Sequence, residues 1–212
     1  MCDGGGPSTI HLRFASADGP PPRSGEDQHK EIDMLSIDPL GLDGVMLDEA
    51  RAYLRIEHDE DDPPLGAIIL AAIGYAERFT GQMLIRRDVR EIVSAGSGWR
   101  TLSVFPVVSV SGVTGIPAEG ARFALDPSAY EVKIGSRGEA YVRVLRPGSA
   151  GRAEVAGEAG LAATWADLPE LLRHGILRLV AHLHAHRDAS DDAGPPAAVA
   201  ALLRPWRRLR VG

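Results

Sequence analysis

The apolar period of this chain changes twice, and that limits its fold more than any other feature. From Leu47 to Gly81 the apolar residues recur at helical spacing; from Asp88 to Glu158 they recur at every second position; from Leu168 the helical spacing returns. Leu65, Ile68, Ile69, Ala72, Ile73, Ala76 and Phe79 trace one stripe of a helix expected over about 63–80. Asp62 suits its N-cap, Pro63-Pro64 its first turn and Gly81 its C-cap. A second stripe, Leu168, Leu171, Leu172, Ile176, Leu179, Val180 and Leu183, predicts a helix over about 168–187 with Asp167 as cap. Leu47, Ala50, Tyr53 and Leu54 predict a shorter helix over about 47–55.

Between the helices lie short strand candidates: Glu91 and Val93, Leu102 and Val104, Val108 and Val110, Tyr130 to Ile134, and Tyr141 to Leu145. Gly96-Ser97-Gly98, Phe105-Pro106, Gly115-Ile116-Pro117, Asp126-Pro127, Gly135-Ser136-Arg137-Gly138 and Pro147-Gly148 separate them with turn chemistry, and Ile134 to Ala140 reads as a hairpin turn. Such short connections favour antiparallel neighbours. The fold class is therefore α+β: a small helical bundle, an inserted antiparallel β-meander over about 88–158, and a C-terminal docking helix and tail. A stripe of small residues on the second helix, Ala67, Ala71 and Gly74, is expected to pack within the chain, with a subunit interface as the alternative.

Three segments follow from this. Residues 1–40 read as an extension without regular structure, because Gly4-Gly5-Gly6-Pro7 and Gly19-Pro20-Pro21-Pro22 interrupt any element. A true start at Met34 is the alternative for residues 1–33. Residues 41–190 hold the core, and residues 191–212 form the tail.

At 212 residues the chain is long enough for one domain with a sizeable core plus extensions. Aromatic residues are 5%, so that core must rest on Leu, Ile, Val and Ala. A net charge of -6 argues against the whole chain acting as a nucleic-acid binder. The charge is uneven: Glu57, Asp59, Glu60, Asp61 and Asp62 form an acidic knot, while Arg204, Arg207, Arg208 and Arg210 form a basic end. The lone cysteine, Cys2, excludes an intrachain disulfide and a cysteine zinc site. No apolar run approaches the ~20 residues of a membrane span, and the N-terminus lacks the apolar core of a signal peptide.

Constellations that would carry catalysis fail on spacing. The acidic knot lacks the alternating oxygen ligands and the sixth-position glycine of an EF-hand loop. His182 and His186 sit one helical turn apart, but Leu183 stands where a zinc protease places its glutamate. Neither a nucleophile elbow around Ser97 nor a phosphate loop is present. No catalytic residue, no metal ligand and no cofactor is expected.

The tail is more specific. Pro195-Pro196 leads into a short apolar helix near Ala197 to Leu203, which Pro205 ends. Seven residues cannot hold a helix alone, so this one needs a docking surface. Val199, Leu202, Leu203, Arg204, Trp206, Arg207, Arg208 and Arg210 are the expected docking residues, since tryptophan and arginine anchor protein interfaces. The other reading is nucleic-acid contact, with arginines on phosphates and Trp206 stacking a base.

Three stretches in this order resemble the head–tail connector (adaptor) family of tailed phages, the gp6-like proteins, including gene transfer agent adaptors. They are Leu47 to Ile56 with the acidic loop and Ile68 to Leu84; Leu102 to Val113; and Ala159 to Trp165 with Leu168-Pro169, Leu179 to Arg187 and the Pro196-to-Arg208 tail. The resemblance covers roughly Val45 to the end. It implies a structural protein forming a ring of about twelve copies under the portal. The C-terminal segment would reach the portal, another surface would receive the tail or stopper protein, and double-stranded DNA would pass without sequence-specific binding. The long N-terminus and Pro63-Pro64 depart from the pattern.

Overall fold

The computed structural model describes residues 34–186 and 196–208. The chain divides into two compact units: residues up to Pro39 with Arg87–Ala159, and Leu40–Arg86 with Gly160–Gly212. The first is built of strands and the second of helices.

The strand unit contains β1 (Met34–Ile37), β2 (Arg87–Ser94), β3 (Arg100–Thr101), β4 (Val107–Pro117), β5 (Phe123–Ala124), β6 (Tyr130–Ile134), β7 (Ala140–Val144) and β8 (Ala150–Ala159). They form a five-stranded sheet in the order β1-β2-β8-β4-β5 and a three-stranded sheet in the order β3-β7-β6. Every strand pairing is antiparallel. The hairpin expected over Ile134 to Ala140 joins β6 to β7, with Ile134 opposite Ala140. Elsewhere the order is not that of a simple meander: β8, last in the chain, inserts between β2 and β4. Val89, Val93, Val113, Ala153 and Val155 are buried along these three strands. Three register shifts interrupt β4 against β8. A bulge places two residues opposite one; the first leaves Val108 without a residue opposite it on β8, exposed beside the buried Val107. At one such place the backbones come so close that a Cβ on Gly157 would sit 2.2 Å from the Ser109 carbonyl oxygen. Gly115-Ile116-Pro117, expected as a turn, forms the end of β4 instead.

Two expectations change here. Met34–Ile37, placed by sequence within an unstructured extension, is a strand that pairs with β2 from Met34↔Ile92 to Ile37↔Val89. Residues 1–33 lie outside the described residues. Leu102 and Val104 are buried but belong to no strand. The amides that a neighbouring strand would have engaged go instead to the buried Glu91 carboxylate. Ser103 N–H donates to both of its oxygens at 2.8 and 3.0 Å, and Val104 N–H donates at 3.3 Å.

The helical unit holds α1 (Gly44–Leu54), α2 (Asp62–Thr80), α3 (Glu170–Ala185) and α4 (Ala197–Leu203), followed by a 3₁₀ turn at Arg204–Trp206. The α1 helix starts earlier than its apolar pattern because Asp43 caps it, accepting from Met46 N–H at 2.7 Å. The α2 N-cap is Asp61, not Asp62. Asp62 opens the helix and is engaged by Arg51, whose Nε donates to it at 2.6 Å. Gly81 closes α2 in the left-handed region at φ 69°, as its place in the sequence predicts. Asp167 does not cap α3, which follows Pro169. Its carboxylate accepts from Thr164 N–H and Oγ1–H at 3.1 and 2.8 Å and closes the preceding turn.

Both helical stripes face one core. Leu65, Ile69 and Ile73 of α2 meet Leu172, Ile176, Leu179 and Val180 of α3, with Met46 and Ala50 of α1. Trp165 fills the centre of this core and keeps its polar edge paired: its indole N–H donates to Glu49 at 2.6 Å, and Glu49 also binds Arg173 at 3.1 Å. Two stripe members fall outside. Leu171 is 65% exposed and Tyr53 is 40% exposed, each at the margin of its helix's apolar arc.

Candidate functional site

The short helix near the C-terminus finds a surface within its own unit. Val199 and Leu203 of α4 are 1% and 0% exposed and belong to the same core as α2 and α3. Gly175 on α3 makes the contact close: a Cβ there would sit 3.2 Å from Leu202 Cβ and 3.3 Å from Leu203 Cδ2. Seven helical residues are too few to persist alone, and here tertiary packing holds them.

The chain then crosses the C-terminal end of α2. Gln82 Nε2 donates to the Trp206 carbonyl. Arg208 N–H donates to Thr80 O at 2.7 Å and satisfies a carbonyl that a helix end leaves without an intrahelical partner. The Arg207 guanidinium lies over the Phe79 ring, 5.8 Å from its centroid, and Phe79 stacks on Tyr75 at 6.3 Å. Cations at a helix C-terminus are favoured by the helix dipole, and Arg78 in the last turn of α2 adds another.

The expected docking residues are thus divided. Val199 and Leu203 are interior to this chain and present no surface while α4 stays seated, because their side chains are enclosed by α2 and α3. Leu202, Trp206 and Arg208 are half-buried, and Arg204 and Arg207 are exposed. Arg210 lies outside the described residues. Tyr75, Arg78 and Phe79 join this surface although the sequence pattern did not single them out for it. Their signal was an aromatic pair at i, i+4 beside an arginine, just before a C-cap glycine.

The outer face of α2 also departs from expectation. Ala67 and Ala71 are exposed, Gly74 is half-exposed, and Tyr75 is 37% exposed. Among the described residues no element of this unit covers that face. At the opposite end of α2 the acidic connection carries Glu57, Asp59, Glu60 and Asp61, all exposed.

The histidines near the end of α3 are satisfied locally: the His182 and His186 rings lie 4.4 Å apart, and His186 Nδ1 is 2.8 Å from the His182 carbonyl. Among the described residues, no group of three or more His, Cys, Asp or Glu is placed to hold a metal ion. Among them, too, no helix is long and apolar enough to cross a membrane.

No family model and no curated protein matches the chain. Solved structures do. A chain of the virion of a native gene transfer agent particle superposes with a TM-score of 0.66 at 25% identity, over 84% of this chain and 96% of that one. A chain in the neck of a native gene transfer agent particle, computed with C12 symmetry, gives 0.61 at 25% identity, over 82% and 96%. One from the neck of an empty particle, computed with C6 symmetry, gives 0.66 at 24% identity over the same shares. In fold and sequence the chain is similar to a neck component of gene transfer agent particles, the adaptor-like group that its three sequence stretches resemble.

Proposed function

We propose that this chain is a structural head–tail connector of a tailed phage or phage-like particle, with no catalytic role. Copies form a ring that joins the portal to the tail or stopper protein and surrounds the passage for DNA. The observation that carries the reading is the likeness to chains of a gene transfer agent virion and neck over nearly their whole length. The C12 symmetry used for one of those necks agrees with a ring of about twelve copies. Many weak contacts repeated around a ring give avidity for a symmetric partner.

Portal docking falls to the exposed Arg204 and Arg207 with the half-buried Leu202, Trp206 and Arg208 beside them, continuing to Arg210. The helix α4 anchors this surface, and the strap over α2 fixes where it points. Pre-set anchors cost less ordering on binding than a free tail would.

The test is co-expression with the portal protein encoded beside this chain. Arg204→Glu is expected to weaken co-purification sharply and leave the fold intact, since this side chain is exposed and lies outside the contacts over the end of α2. Unchanged portal binding would move the docking surface elsewhere. Binding of the isolated protein to bare DNA, falling steeply with salt and lost in the same variant, would favour the nucleic-acid reading of the arginines instead.

A further inference from the structure

We infer that the outer face of α2 receives the acidic α1–α2 connection of the neighbouring copy in the ring. This rests on the connector reading above and adds to it the surface through which copies meet.

Among the described residues nothing covers this helix face, and its C-terminal half is aromatic and cationic. Tyr75 and Arg78 lie three residues apart on it, and the Tyr75–Phe79 stack lies under Arg207. This stack holds the side chains in place before any partner arrives. Further along the same face Ala67, Ala71 and Gly74 keep it low, so another chain can approach the helix backbone closely.

The occupant follows from charge. Glu57, Asp59, Glu60 and Asp61 are exposed on the connection that enters α2, while Arg78 and Arg207 lie where α2 ends. Nineteen helical residues at 1.5 Å each separate these poles by about 28 Å. One unit therefore carries an acidic pole and a basic pole on opposite ends of one rigid helix. A ring needs two different, complementary patches on each copy, because its contacts are head-to-tail. Acid pole against basic pole supplies such a pair and penalises the like-charge arrangements. A two-fold pairing of antiparallel α2 helices would also match the charges, but it uses both poles on one partner and stops at a dimer.

The experiment uses full-length protein co-expressed with its portal. Arg78→Glu alone, and Glu57→Lys with Glu60→Lys alone, are each expected to cut recovery of rings by at least about tenfold, the equivalent of 1.4 kcal/mol. The triple combination is expected to restore them. In parallel, Asp59→Cys with Arg78→Cys, in a Cys2→Ser background, is expected to give an oxidised ladder extending past the dimer. Failure of the triple combination to restore rings overturns the interface, as does a ladder ending at the dimer. In either case continued co-purification with the portal would leave the connector reading standing. Loss of portal binding by the unaltered protein would count against the connector reading itself.

Discussion

Gly175 of α3 presents bare backbone to Leu202 of α4, close enough that a Cβ there would come within 3.2 Å of the leucine Cβ. This contact decides whether the C-terminal segment is a free tail or part of the fold. Gly175→Leu is expected to push α4 off its seat and cost about 1–3 kcal/mol, the usual range for overpacking. Urea unfolding followed by circular dichroism measures it. A variant as stable as the parent would mean that the two helices separate freely.

Leu203→Ala is the complementary deletion. The side chain is fully buried, and removing it is expected to destabilise the protein by about 2–5 kcal/mol. Arg204→Ala, one residue on and exposed, is expected to change stability by less than about 0.5 kcal/mol. If the two were alike in denaturant midpoint, α4 would not belong to the core.

Glu91→Ala leaves the Ser103 and Val104 amides without their carboxylate acceptor. A buried donor left unmade costs about 1–3 kcal/mol, so the expected loss is at the upper end of that range or above it. Hydrogen exchange at those two amides should accelerate in the variant. Protection that stays at the parental level would show that other acceptors hold this loop.

Glu49→Ala tests the polar edge of the core. Trp165 would keep its burial but lose the acceptor for its indole N–H, and Arg173 would lose its partner. A loss of about 1–3 kcal/mol is expected, read as a lower midpoint in thermal unfolding. A neutral result would mean that water reaches the indole.

Asp126 supplies a pH signature. Its carboxylate accepts from the hydroxyl and the amide of Ser128 at 2.6 and 2.8 Å, and these bonds, with Arg146 nearby, hold its pKa below the usual carboxylate range. A lowered folded-state pKa contributes stability that is present above the unfolded value and lost as pH falls through the folded one. The stability difference between the parent and Asp126→Asn should therefore exist at neutral pH and shrink in acid. A difference that grows on acidification would contradict this arrangement.

The helices were legible because α2 and α3 each bury one continuous stripe against the other, and Gly81 marks a stop that only backbone geometry needs to explain. The stripe was less reliable at its edges. Leu171 lies about 100° around α3 from Leu172, at the border of the apolar arc, and periodicity alone cannot say which side of that border faces a neighbour. Leu177, absent from the stripe, is buried in the same core. The strand order was not legible, because it depends on which distant segments pair. Nothing local in Ala150–Ala159 says that it belongs between β2 and β4. For β1, four residues beside a glycine- and proline-rich stretch are too short a pattern to count without the partner at Val89–Ile92. At the candidate site, the residue types of the tail were visible. The helix end they cross was not, because Thr80, Gln82 and Phe79 meet Arg208, Trp206 and Arg207 only after folding.

The division of the chain has a consequence for biogenesis. The helical unit is made of two stretches, Leu40–Arg86 and Gly160–Gly212, with all of Arg87–Ala159 between them. On the ribosome α2 is made before β2 to β8 and must carry its apolar stripe through their synthesis before α3 and α4 arrive to cover it. Non-local closure of this kind slows folding and leaves apolar surface open meanwhile. Premature termination anywhere before Leu203 would release a chain whose core is still open, so truncated copies would carry apolar surface that finished ones bury.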